Sequence, residues 1–246
     1  MTNGSTCLIL NPLSLGYISA LSVHSAGHRL IHYTAGHKPK SLDFVQAAAV
    51  PLTYGTAYEA LVDRLEIKKG EKSGILIMNG GGGGGGVGSI ASQIARNVLG
   101  LPLVVTTASR PETVEFSKKM GATHVVNHRK NTVGQIRQLN LPGDVPLRYA
   151  QITSRTEPYV VPIADVLAPF GKVCSIVQAR FDMYGSQFMT KSLSFSWCCC
   201  APARIMGTST TTRRSTIAGS RSWPGCWLTA LSNAISRGGS SSALRV

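Results

Sequence analysis

The stretch Asn79–Ser89, NGGGGGGGVGS, carries the clearest chemistry in the chain. Glycine has no Cβ, so a glycine-rich backbone can lie against an anion, and Gly83, Gly85 and Gly88 satisfy G-x-G-x-x-G. In that motif the first glycine permits a tight turn, the second lets the backbone approach a pyrophosphate, and the third lets helix and strand pack closely. Within seven consecutive glycines some match is unavoidable, so the flanking residues must decide between a phosphate turn and a plain spacer. No Lys-Ser or Lys-Thr follows, which removes a Walker-type loop. A second informative position lies about 20 residues on, where NAD sites place an acid for the ribose hydroxyls. Here the chain reads TTASRPE, with Ser109 and Arg110 in that place. Arg110 can pair with a 2′-phosphate, which favours NADP over NAD; its alternative is an ordinary surface charge. Glu112 lies two residues further and fits as a complement to a helix dipole.

Other candidate groups are weaker. Cys198, Cys199 and Cys200 are contiguous and no C-x-x-C pair occurs, which does not suit zinc. His24, His28 and His32 share a helical spacing, but Gly27 interrupts it and no carboxylate stands nearby, so loop histidines are the plainer account. No zinc or other metal is expected. No side chain stands out as a general acid.

The elements around the glycines settle their reading. Ser73–Asn79, SGILIMN, is a short apolar run without polar alternation, as expected of a strand buried on both faces. After the glycines, Val87, Ile90, Ile94 and Val98 recur at near-helical intervals up to Gly100. LPLVVTT, ending at Thr107, predicts the next strand. The segment from Pro111 to Gly121 predicts a helix, with proline in the first turn, Glu112 and Glu115 early, and Lys118 and Lys119 late. THVVN, VPLRYAQI, KVCSIV and KSLSFSW predict four further strands, with helices over NTVGQIRQL and EPYVVPIADVLAPFG between them. Six strands joined by four helical crossovers predict an α/β fold: a Rossmann-type, doubly wound parallel sheet. In that setting the glycines occupy the turn that holds a dinucleotide's phosphates, and the helix start adds unpaired amides and a positive dipole end.

Composition bounds the rest. The chain has 246 residues and 43% apolar content, enough for a packed core. No run of about 18 apolar residues occurs and the opening lacks a basic start, so the chain reads as a soluble, cytoplasmic protein without a membrane partner. The formal net charge of +14 invites a nucleic-acid reading. Yet no acid precedes Asp43 or follows Asp182, so the excess is partly an effect of the ends, and basic and aromatic residues do not interleave as a stacking groove requires. Nucleic acid is not expected as a partner. Residues 1–35 and 198–246 differ from the middle in composition; the tail is rich in Ser, Thr, Arg and Gly, lacks sustained periodicity, and both ends are expected to be poorly ordered. Residues 36–70 read as a linker and helix, and 71–197 as the NADP-binding domain.

Residues 37–197 resemble the zinc-type alcohol dehydrogenase-like and quinone oxidoreductase branch of the medium-chain dehydrogenase/reductase superfamily. The resemblance is carried by GHKPKSLDFVQAAAVPLTYGTAYEALVDRL, ILIMNGGGGGGGVGSIASQIA, TASRPETVEFSKKMGATHVVNHRKN, IADVLAPFGKVCSIV and KSLSFSW. It implies NADPH-dependent hydride transfer to a quinone, enone or similar carbonyl compound, commonly in a homodimer. It also implies cofactor roles for Gly83, Gly85, Gly86, Val87, Gly88, Ser109, Arg110 and His128, the last where relatives often have a tyrosine near the adenosine phosphate. Thr56 matches a threonine close to the nicotinamide, and Tyr54 becomes a candidate proton donor by its nearness to that motif. The departures are a longer glycine run than the family's N-G-A-G-G-V-G-S, no counterpart to the barrel-like catalytic domain with which relatives begin, and a tail after Trp197 unlike the family's closing segment. Two readings follow: an NADP-dependent reductase, or a nucleotide-binding fragment without catalysis.

Overall fold

The computed structural model describes residues 53–78, 86–139 and 141–198, with the backbone of two short strands near the start of the chain. The chain divides into two units, one of Met1–Leu52 with Cys200–Arg245 and one spanning Thr53–Cys199. In the first, β1 (Cys7–Ile9) pairs antiparallel with β2 (Ala35–His37), Cys7 opposite His37. Gly83, Gly85, His24, His28, His32, Cys199, Cys200 and nearly all of both terminal segments lie outside the described residues.

The second unit is a six-stranded, wholly parallel sheet: β3 (Gly74–Met78), β4 (Leu103–Thr107), β5 (His124–Val126), β6 (Leu147–Ile152), β7 (Lys172–Ser175) and β8 (Ser194–Trp197). Their spatial order is β5-β4-β3-β6-β7-β8. The order reverses between β3 and β6, the switch point of a dinucleotide-binding Rossmann fold, so the expected fold class is the one observed. Six helical segments serve it. α1 runs over residues 53–64, its second half Glu59–Arg64 wound as a π-helix. α2 (Gly86–Gln93) continues as a π-turn through Ile94–Val98. α3 (Pro111–Lys119), α4 (Thr132–Gln138), α5 (Glu157–Val166) and α6 (Gln187–Thr190) complete the crossovers. The four-residue α6 lies within a segment in which the sequence predicts no helix, because four residues hold too little periodicity to register.

Every residue of β3 and β4 is buried, as continuous apolar runs require when helices cover both faces of a sheet. Alternation then sorts the side chains. Ile75, Ile77 and Val104 join α1 and α2 in one core layer, while Leu76, Met78, Leu103 and Val105 join α4 and α5 in the other. β6 changes phase between Leu147 and Tyr149, which fall in opposite layers, because the ladder with β3 slips there: Gly74 pairs with Leu147 but Ile75 with Tyr149. The expected stops hold: α2 and α3 end at Gly100 and Gly121, with φ of +73° and +103°, a region costly for any residue with a Cβ.

Candidate functional site

Each parallel strand delivers its carboxyl end to one edge, so loops distant in sequence gather there. β4 and β5 release their loops side by side, the Ala108 amide donating to the Val126 carbonyl at 2.9 Å. Ser109, half-buried, and Arg110, exposed, follow from β4; Asn127, His128, Arg129 and Lys130 follow from β5. Backbone geometry is held locally. The Thr113 hydroxyl donates to the Arg110 carbonyl at 2.8 Å, and Asn127 accepts from the Arg129 amide at 2.9 Å while its carbonyl accepts from Gln135. Asn131 caps α4 through Gly134 at 3.0 Å.

An open cavity of about 640 Å³ lies on the α4/α5 side of this edge. Its walls come from the loop after β5 (His128 to Val133) and from the loop and helix after β6, with Ser154, Arg155, Tyr159 and Pro162. Two buried polar atoms of its lining, His128 Nδ1 and Ser154 Oγ, have no hydrogen-bond partner. Burial normally forces such atoms into a bond with protein or water, since each costs roughly 1–3 kcal/mol when left unmade. Burial and the neighbouring Arg129 charge push the His128 imidazole below its ordinary range, so it is neutral near pH 7 and can accept or donate. The heads of Arg129, Lys130 and Arg155 rim the cavity, and like Arg110 they make no ion pair among the described residues. A neutral imidazole, a hydroxyl and a ring of cations around a half-apolar hollow suit an anionic, ring-bearing ligand.

The expected site residues separate in this geometry. His128 lines the cavity; Ser109 and Arg110 lie on the loop after β4, whose base is hydrogen-bonded to the end of β5, and are not among the lining residues. Gly86, Val87 and Gly88 form the first turn of α2. Gly86 is needed for space, because a Cβ there would come within 2.7 Å of Thr53 Cγ2 on α1. Thr56 lies on α1, buried in the other core layer, and its carbonyl accepts from Cys198 Sγ at 3.9 Å. Tyr54 stacks on Tyr58 with centroids 6.2 Å apart, and burial drives its phenol far above the ordinary range, so it holds its proton. Ser154, Arg155 and Tyr159 were not legible as site residues; the available signal was only that they follow the carboxyl end of a strand beside the switch point. Among the described residues no three His, Cys, Asp or Glu side chains gather as metal ligands, so these residues do not fit a zinc ion. No helix among them is long and apolar enough to cross a membrane.

Fold and edge geometry together define a Rossmann-type α/β domain. A family model described as zinc-binding dehydrogenase matches residues 86–200. A zinc-type alcohol dehydrogenase-like protein of Staphylococcus aureus (strain MSSA476) is 36% identical over 162 residues, covering 64% of this chain and 46% of that protein. The chloroplastic NADPH-dependent alkenal/one oxidoreductase of Arabidopsis thaliana is 42% identical over 96 residues, 39% of this chain and 23% of that protein. Among solved structures, a zinc-dependent alcohol dehydrogenase protein from Rhizobium etli CFN 42 superposes with a TM-score of 0.67 at 36% identity, over 85% of this chain and 56% of that one. Together these matches support the medium-chain dehydrogenase/reductase superfamily. It spans about half the length of the zinc-type relatives it matches.

Proposed function

We propose that this chain binds NADPH at the carboxyl edge of its sheet and serves hydride transfer to an enone, quinone or other carbonyl compound. The observation that carries the reading is the pair of buried, unpartnered atoms, His128 Nδ1 and Ser154 Oγ, on a cavity rimmed by unpaired cations. The adenosine lies in the cavity between Tyr159 and the loop after β5, where these two atoms complete their hydrogen bonds. The 2′-phosphate meets Arg110 and Arg129, carried by the neighbouring loops of β4 and β5. The amides of Gly86, Val87 and Gly88 face the pyrophosphate, and the G-x-G-x-x-G spacing assigns Gly83 and Gly85 to the same group. Thr56 belongs to the nicotinamide end. When bound, the nicotinamide supplies the hydride; the protein orients both reactants and keeps water out. The alkenal/one oxidoreductase and a tomato 2-methylene-furan-3-one reductase, 42% identical over 95 residues, support a conjugated carbonyl as substrate class. A homodimer is part of the proposal, supported by β8 being an edge strand among the described residues, with Trp197 exposed on it.

Titration of the whole chain with NADPH and NADH, followed by nicotinamide fluorescence, tests the binding. NADPH is expected to bind more tightly, with the preference lost in Arg110→Ala. Equal affinity for both nucleotides removes the NADP assignment; no binding of either removes the site. Assay of enone and quinone reduction on the same preparation separates a reductase from a domain that binds without turning over.

A further inference from the structure

The wall that α5 gives to the cavity carries an irregularity. Pro158, Tyr159 and Pro162 line the hollow, while Val160, Ile163 and Ala164 turn into the core. In an α-helix the carbonyl of residue 158 is served by the amide of residue 162. Pro162 has no amide hydrogen, so that bond is absent by covalent structure, and its ring crowds the oxygen it would otherwise have served. No turn or loop amide among the described residues takes its place. Positions four apart lie one above the other on a helix, so the unserved oxygen belongs to the same stripe as the two prolines that line the cavity.

The far end of the helix is treated differently. Lys191 Nζ donates to the Ala164, Asp165 and Leu167 carbonyls at 2.8, 3.0 and 2.9 Å, so acceptors that a helix leaves open at its end are met by the protein itself. The acceptor opened in mid-helix by Pro162 opens onto the cavity instead. Two further polar atoms of the same lining lack a partner, His128 Nδ1 and Ser154 Oγ. A hydroxyl and a neutral imidazole can each donate or accept, and so suit a ligand ring of either hydrogen-bonding pattern. A carbonyl can only accept. Of these three groups, the Pro158 oxygen alone demands a donor from the ligand.

Resting on the assignment of NADPH to this cavity, we propose that the Pro158 carbonyl, left open by Pro162, accepts a hydrogen bond from the 6-amino group of the adenine ring and selects adenine dinucleotides over 6-oxopurine ones. In a 6-oxopurine the position that meets the carbonyl holds an oxygen, so two acceptors face each other with no proton between them. Ser154 and His128 can place their protons to suit the ring nitrogens of either base, and the repulsion at Pro158 remains. Discrimination thus belongs to the backbone. Its origin is one side chain whose ring removes a hydrogen from α5.

The test titrates the whole chain with NADPH and with reduced nicotinamide hypoxanthine dinucleotide phosphate, which carries an oxygen in place of the 6-amino group, both followed by nicotinamide fluorescence. The hypoxanthine dinucleotide is expected to bind at least about tenfold more weakly, the effect of one hydrogen bond left unmade. Pro162→Ala returns an amide to the helix, raises its propensity and closes the bond to Pro158, so it is expected to fold and to bind the two dinucleotides alike. Loss of the proline ring from the wall acts on both ligands equally, so only the ratio of affinities is read. Equal affinities in the unaltered chain would overturn the proposal while leaving the NADPH site standing. A preference that survives in Pro162→Ala would overturn it too, since the selecting group would then lie elsewhere. Binding of neither dinucleotide would remove the site itself, and the proposal with it.

Discussion

His128 concentrates the residue-scale argument, because it joins a buried orphan nitrogen to a depressed basicity. Above the ordinary imidazole value of about 6.5 the ring is neutral in both the folded and the unfolded chain and imposes no penalty. As pH falls below that value the unfolded chain takes the proton first, so this residue's contribution to stability declines until the folded pKa is passed. Proton NMR of the histidine ring should show titration below 6.5, and His128→Gln should flatten the corresponding part of a stability-versus-pH curve. Bound NADPH, with its 2′-phosphate close by, should move the same titration upward, whereas NADH should not. A ring that titrates at its ordinary value and ignores both nucleotides would remove His128 from the site. Arg155 tests the cavity's other wall: loss of one charge-assisted hydrogen bond is worth about 1.5–3 kcal/mol, so Arg155→Ala should weaken NADPH binding by roughly 10- to 100-fold, measured by calorimetry.

At the scale of elements, the sheet depends on close approaches that tolerate no added atom. Gly171 sits where α5 turns into β7; a Cβ there would meet the Arg148 and Ala168 carbonyl oxygens at 2.8 and 2.9 Å. Both obstacles are backbone, so neither can swing aside. Gly171→Ala should therefore cost about 1–3 kcal/mol in chemical denaturation. Leu76→Ala, at a fully buried position in the central strand, should cost about 2–5 kcal/mol, with NADPH affinity unchanged in the folded fraction. These elements were legible because their signals are local: the unbroken apolar runs of β3 and β4, the proline and charge order of α3, and the glycine stops. The slip in β6 and the helix α6 were not, since a register shift is set by the partner strand and one helical turn carries no period. The site divides in the same way. Arg110 could be read from its distance to the glycines, but Ser154, Arg155 and Tyr159 become neighbours of His128 only when β4 and β3 are inserted between β5 and β6.

For the molecule as a whole, the two edges of the sheet have different duties. At the amino edge Tyr149 donates its hydroxyl to the Glu71 carboxylate at 2.8 Å, with Arg148 at 3.9 Å, so the charge of that carboxylate is met within the chain. Among the described residues, Arg110, Arg129, Lys130 and Arg155 at the carboxyl edge make no ion pair and two buried polar atoms of the cavity lack a hydrogen bond, so an arriving anion would lower the free energy there. Ligand bound to the folded state alone stabilises it by about 2.7 kcal/mol at a hundredfold excess over Kd, and for a chain of this length each kcal/mol raises the melting temperature by roughly 2–4 °C. Because the proposed site puts the orphan atoms and cations on the adenosine side, most of that rise should be obtained without a nicotinamide. A thermal melt in 2′-phospho-ADP-ribose should thus approach the one in NADPH, ADP-ribose should give a smaller rise, and nicotinamide mononucleotide almost none. The reverse ranking would place recognition at the far end of the sheet, near Thr56, and would take the cavity between α4 and α5 out of the binding site.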